Sequence, residues 1–208
     1  MSPRTYNQDR RAETAAATSR RVRVAARALY RERGISGTTT AAIAELADVA
    51  RGTILHHFGS ADGLLEAVLD DITTELEWPV EGLQDGVGSE TERIRRYVDA
   101  LFRFFVRSEE DWPAFARDLD HPILQKRAAE YYETAGRFFA ATFTDLAADS
   151  VMAAAARAYV NYGPLNDLRA AGLNLEEAIE VVGNSLIELA RQRRMLAGQP
   201  AQQEGREV

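Results

Sequence analysis

The chain has 208 residues, no cysteine, 46% hydrophobic and 27% charged residues, and a formal charge of −7. That length and apolar content suit a globular protein of one or two domains with a sizeable core, and the lack of cysteine excludes disulfides, thiolate metal sites and cysteine nucleophiles. No apolar run reaches the roughly 18 residues of a membrane helix, and Met1-Ser2-Pro3-Arg4-Thr5-Tyr6 has no secretory apolar stretch behind it, so a cytoplasmic protein with no membrane partner is expected. The net charge conceals a split. Residues 1–60 carry ten Arg and no Lys against five carboxylates, a net +5, whereas residues 61–208 carry 15 basic and 27 acidic side chains, a net −12. A basic front on an acidic body points to two jobs in one chain, the first facing a polyanion.

The apolar spacing is helical almost throughout. Residues 1–17 are polar and read as a flexible, Arg-bearing arm. From Thr18, the positions Val22, Ala25, Ala26, Leu29 and Tyr30 make one helical face, and Gly34 suits the left-handed stop behind it. Thr39 can cap a short helix through Ile43, Leu46 and Ala47. A turn at Asp48-Val49 leads to a second short helix, Arg51 to Phe58. Ser60 can cap a helix striped with Leu64, Leu65, Val68, Leu69 and Ile72, which Trp78-Pro79 ends. Residues 80–90 hold three Gly and read as a linker. Ser89-x-x-Glu92 is a capping box opening a helix with Ile94, Val98, Leu101, Phe102 and Phe105. After a break near Pro113, His121-Pro122 starts a long helix expected to reach about Ala148. Asp149 or Ser150 caps the next helix, with an interruption expected at Gly163-Pro164, and Asn174-x-x-Glu177 caps the last, carrying Ile179, Val182, Leu186, Leu189 and Ala190. No segment alternates like a strand. The expected class is all-α with about nine helices, divided into the arm, a helix-turn-helix domain over 18–60, a ligand-binding and dimerisation domain over 61–197, and a disordered tail over 198–208.

Two short helices joined by a tight turn behind a longer one form a helix-turn-helix, whose second helix enters the major groove. Here that helix is Ala50-Arg51-Gly52-Thr53-Ile54-Leu55-His56-His57. Arg51 can bond guanine bidentately or reach a phosphate, Gly52 lets the backbone approach the duplex, Thr53 offers a hydroxyl and a methyl, and His56 and His57 offer imidazole N–H groups. Thr39 and Thr40 add phosphate contacts. Adjacent histidines on a helix point about 100° apart and chelate poorly; no metal and no cofactor is expected. No catalytic order of Ser, His and Asp, no paired carboxylates at informative spacing and no phosphate loop stand out, so no enzyme is expected.

Arg33-Gly34, Thr38-Thr39-Thr40-Ala41-Ala42-Ile43-Ala44, Arg51 to Phe58 and Leu64-Leu65-Glu66-Ala67-Val68 together resemble the TetR family of bacterial transcriptional repressors over about residues 18–70. The resemblance implies a homodimer, a pseudo-palindromic double-stranded DNA operator and a small-molecule effector that releases it. The chain departs from the family pattern at Leu55, where a phosphate-holding Tyr is usual, at Ala61, where a Lys is usual, at Asp48, often Gly, and at Ala50, usually a Ser or Thr cap. Leu55 is retained among the expected DNA-facing positions, and arginines of the arm (Arg4, Arg10, Arg11) and Arg20, Arg21 and Arg23 are candidates to supply the missing charge.

Thirteen of the 17 aromatic residues lie between Tyr97 and Tyr162. An aromatic-rich helical bundle suits a cavity for an apolar or aromatic effector, with Phe102, Phe105, Trp112, Phe115, Tyr131, Phe138, Tyr159, Asn161 and Tyr162 as candidate lining and Trp78 at the end of the helix leaving the head. Ordinary core packing is the alternative for any one of them. The last two helices resemble the family's dimer interface, with Ala155, Val182, Leu186 and Leu189 as candidates. The function expected is a ligand-responsive repressor. The alternative is a helical ligand-binding or protein-interaction module whose DNA head is weakened, as Leu55 and Ala61 suggest.

Overall fold

The computed structural model describes residues 3–76 and 87–197, with side chains from Arg10 onward. Among these, ten α-helices and one 3-10 turn form, with no strand. The chain divides into two compact units, Met1–Glu77 with Ser108–Ala129, and Trp78–Arg107 with Glu130–Val208.

The first unit contains α1 (Pro3–Arg33), α2 (Thr40–Leu46), α3 (Arg51–Phe58), α4 (Ala61–Leu76), α6 (Trp112–Arg117) and the opening of α7 (Pro122–Thr142). Its core gathers Val22, Ala26 and Leu29 of α1, Ile43 of α2, Ile54 of α3, and Leu64, Leu65 and Val68 of α4. Local chemistry sets the boundaries. Gly34, at φ +77°, ends α1, and a Cβ there would come within 2.6 Å of the Asp118 carboxylate. The Ala42 N–H donates to Thr39 Oγ1 at the start of α2, and the Gly63 N–H donates to Ser60 Oγ at the start of α4.

The second unit contains α5 (Glu90–Arg107), the rest of α7, the 3-10 turn Thr144–Leu146, α8 (Ser150–Tyr159), α9 (Tyr162–Ala170) and α10 (Leu175–Ala197). α5 lies against α10, and Ile94, Val98, Leu101, Phe102 and Phe105 share a core with Phe138, Phe143, Met152, Val182 and Leu186. Both expected capping boxes close. The Ser89 and Asn174 N–H groups donate to Glu92 and Glu177, and the returning bonds run from the Glu N–H groups to Ser89 Oγ and Asn174 Oδ1.

Several boundaries differ from those the pattern suggests. α1 begins at Pro3, so most of the expected arm is helix; residues 4–17 hold neither Gly nor Pro, so nothing in their backbone opposes it. α6 is a helix that periodicity alone did not separate. α7 ends at Thr142 rather than near Ala148: Phe143 leaves the helical region (φ −107°, ψ 51°) with its ring buried beside Tyr97 and Phe139. The break between α8 and α9 falls at Val160-Asn161, two residues before Gly163-Pro164. Asn161 caps α9, and Pro164 sits in the first turn, where its missing N–H loses no helical bond. The expected boundary at residue 60 also moves, because 61–77 and 108–129 fold with the head. Trp78, most of the linker and the tail lie outside the described residues.

Candidate nucleic-acid interface and ligand cavity

The helix-turn-helix is tight. The Ala47 N–H donates to the Ile43 carbonyl, and the Asp48 and Val49 N–H groups donate to the carbonyls of Glu45 and Ala44. Asp48 adopts φ +51°, the left-handed conformation that explains why glycine suits this position. Ala50 stands at the N-cap of α3 with extended backbone and no side-chain bond. Ile54 is fully buried and fixes the rotation of α3. Arg51, Gly52, Leu55 and His56 are consequently exposed, on two adjacent i, i+4 rows, with Thr53 and His57 half-buried on a third. Leu55 is 53% exposed, an apolar side chain with no intramolecular packing to justify it. Thr39 is exposed and, while its oxygen accepts from Ala42, its O–H proton remains able to donate; Thr40 is half-buried.

The arginines of α1 divide into two groups. Arg23, Arg27 and Arg31 are held inside the first unit. Arg23 meets Asp71, Arg27 meets Asp111 and Glu75, and Arg31 meets Asp111 and Glu110. Asp111, whose side chain is 3% exposed, accepts from both Arg27 and Arg31 at 2.6 to 3.0 Å. Burial pushes its carboxyl up, but the bonds from the two guanidiniums outweigh that and hold it below the usual range. Asp118 is treated similarly, against its own desolvation, by the Ser36 hydroxyl and the N–H groups of Ile35 and Ser36. Arg10, Arg11, Arg20, Arg21 and Arg51, by contrast, are exposed and have no carboxylate partner among the described residues. The charge asymmetry of the linear sequence is thus rewritten by folding. The first unit holds 13 basic and 16 acidic residues, the second 12 and 16. What distinguishes the head is which of its cations are left unpaired.

In the second unit, a cavity of about 340 Å³ is lined by Tyr97, Leu101, Tyr131, Tyr132, Ala135, Arg157, Val160 and Asn161. Burial raises the Tyr97 and Tyr131 phenols above their ordinary range, and the Arg157 charge partly opposes this at Tyr97. No carboxylate lines the cavity among the described residues.

Residues 22–68 match the model of bacterial regulatory proteins of the tetR family. The match covers α2, α3 and the adjoining parts of α1 and α4, so the helix-turn-helix head is similar to that family's. A 64-residue stretch is 38% identical to the HTH-type transcriptional regulator BetI of Burkholderia thailandensis, covering 31% of this chain and 32% of that one, and a 43-residue stretch is 46% identical to BetI of Paraburkholderia phymatum, covering 21% and 22%. The chain spans about a third of the length of the curated relatives it matches. The fold extends further. A TetR-like regulator from Rhodococcus sp. RHA1 superposes with a TM-score of 0.63 at 18% identity, over 88% of this chain and 98% of that one. The likeness in fold therefore extends over most of the chain.

Outside the helix-turn-helix head, the expected ligand residues scatter. Tyr131 and Asn161 line the cavity. Phe102, Phe105 and Phe138 do not; they are fully buried in the core of the second unit. Phe115 belongs to the core of the first unit and Trp112 opens α6 there. Tyr159 is exposed, and Tyr162 packs on the core from outside. Tyr97, Leu101, Tyr132, Ala135, Arg157 and Val160 are the lining that pattern reading missed. Arg157 is the chemically informative one, and it was legible only as a cation on an aromatic-rich helix pair. Of the expected dimer residues, Val182 and Leu186 are buried in the core of the second unit, and Leu189 and Ala155 are partly buried against it. On α8 and α10 the exposed large apolar side chains are Val151 and Tyr159, and Val181, Met195 and Leu196, respectively.

Proposed function

We propose that this chain is a ligand-responsive transcriptional repressor of the TetR family. A homodimer would read a pseudo-palindromic operator with α3 in successive major grooves and be released by a small molecule bound in the second unit. The observation that carries the reading is the rotation of α3. Ile54 is locked in the core while Arg51, Gly52, Leu55 and His56 face outward as one uninterrupted surface. Arg51 supplies the base or phosphate contact, Gly52 the close approach, Leu55 an apolar face for a thymine methyl, and His56 and Thr39 donors to phosphate. The effector has an apolar or aromatic body to lie among Tyr97, Leu101, Tyr131 and Val160, with a polar end, best an anionic one, toward Arg157 and Asn161.

The test is fluorescence anisotropy with a duplex from upstream of the protein's own gene. Arg51→Ala is expected to weaken specific binding about 10- to 100-fold, since a bidentate base contact is worth about 1–3 kcal/mol, and to bring it toward the affinity for a scrambled duplex. Unchanged affinity and discrimination in Arg51→Ala would place the reading surface elsewhere. The exposed Leu55 and Ala61, where phosphate anchors are usual in the family, favour a second reading. In it the chain is a ligand-binding or protein-interaction module with a weakened head, and the wild type would show no preference between the two duplexes at any salt.

A further inference from the structure

The groove of about 410 Å³ between the start of α1 and the recognition helix is not explained by either reading. It is lined by Arg10, Arg11, Thr14, Ala15 and Thr18 on α1 and by Thr53 and His57 on α3. The α1 residues recur at three- and four-residue steps and form one helical face; Thr53 and His57 are an i, i+4 pair. From Arg10 onward the first buried residue of α1 is Val22, so Arg10 stands twelve residues, about 18 Å, before it along the helix. The hydroxyls of Thr14 and Thr18 donate to the carbonyls of Arg10 and Thr14 in their own helix. The outward donors are therefore the two guanidiniums, the His57 ring and the Thr53 hydroxyl. No carboxylate lines the groove, and neither Arg10 nor Arg11 has an ion-pair partner among the described residues, as with Arg20 and Arg21 and unlike Arg23, Arg27 and Arg31 of the same helix.

We infer that this groove is a second seat for the DNA backbone. Arg10 and Arg11 on one wall and Thr53 and His57 on the other would take the phosphates that flank the major groove entered by α3. The inference rests on the DNA-binding reading and deepens it. A duplex laid against Arg51, Gly52, Leu55 and His56 brings its sugar-phosphate edge to the neighbouring row of the same helix, which is the row that forms the groove. Sequence-independent anchoring of this kind restores electrostatic contacts at a head whose exposed Leu55 and Ala61 offer none.

The test uses the full chain, with the upstream duplex and a scrambled duplex of equal length, titrated between about 50 and 200 mM salt. Each phosphate contact contributes about 0.9 to the log–log salt slope. The double variant Arg10→Gln/Arg11→Gln is expected to flatten the slope by about 2 and to lose affinity about equally on both duplexes. Arg10→Lys/Arg11→Lys should recover most of the slope. Arg10 and Arg11 are both exposed, and Gln and Lys are good helix formers, so helix content by circular dichroism should match wild type. An unchanged slope in the Gln variant, with wild type binding normally, overturns the groove assignment and leaves the recognition helix in place. A loss confined to the upstream duplex also overturns it, because the arginines would then be reading bases. Failure of wild type to bind either duplex overturns the DNA-binding reading itself.

Discussion

At the scale of single residues, the head carries two positions where its local chemistry is weaker than its geometry invites. Ala50 has the extended backbone of an N-cap (φ −70°, ψ 145°) but no side chain to accept the free N–H groups of the first turn of α3. Ser fits that backbone and supplies the acceptor. Ala50→Ser is expected to add about 1 kcal/mol of stability, which for a chain of this size raises Tm by about 2–4 °C, readable by thermal melt. Asp48 shows why single positions were legible in the sequence even where they depart from the family. The turn demands a left-handed residue, and Asp is among the few non-glycine side chains that tolerate it.

At the scale of elements, legibility follows sequence distance. Thr39, Ser60, Ser89 with Glu92, Asp149 and Asn174 with Glu177 were all readable as caps because each bonds a backbone group within three residues. The clasp between α1 and the segment ahead of α6 was not, because Arg27 and Arg31 find Asp111 across 84 and 80 residues. No periodicity encodes such a pairing. The aromatic residues failed for a different reason. Phe102 and Phe138 repeat on helical faces as Tyr97 and Tyr131 do, and only the packing separates core from cavity wall.

The clasp also makes the head acid-sensitive in a stated direction. Asp111 has a folded-state pKa below its unfolded value of about 3.9. Its contribution is therefore complete above about pH 4 and disappears as pH falls through the lower, folded value. Asp111→Asn removes that contribution and leaves Arg27 and Arg31 with only Glu75 and Glu110. A cost of about 2–3 kcal/mol is expected at pH 7, toward the lower end for a broken buried pair because both arginines keep some solvent. In denaturant melts at several pH values, the gap between wild type and variant should close below pH 4. A gap that stays constant from pH 7 to pH 3 would show that the charge at 111 is not what holds the segment.

At the scale of the whole molecule, the first unit is no more basic than the second, so net charge does not steer the chain to DNA. On the proposed reading, the exposed cations without carboxylate partners, Arg10, Arg11, Arg20, Arg21 and Arg51, do so instead. The same logic of what is left over applies to assembly. Val182 and Leu186, the obvious apolar stripe of α10, are consumed by the core of the second unit, whereas Val181, 45% exposed, and Met195 on α10, with Val151 and Tyr159 on α8, remain exposed among the described residues. On the proposed reading, a second copy covers them. The double variant Val181→Arg/Tyr159→Arg would then set like charges into the seam at positions that cost the monomer fold little, since both are exposed. Light scattering coupled to size exclusion should shift from about 46 kDa, twice the 23.0 kDa chain, to the monomer mass, with the thermal melt of the monomer still cooperative. Operator affinity should fall at least 100-fold, because a monomer loses the linked second half-site and the effective concentration it provides. If the variant stays dimeric, the seam lies elsewhere; if it becomes monomeric yet binds the upstream duplex as tightly as wild type, the two-half-site reading of the operator is wrong.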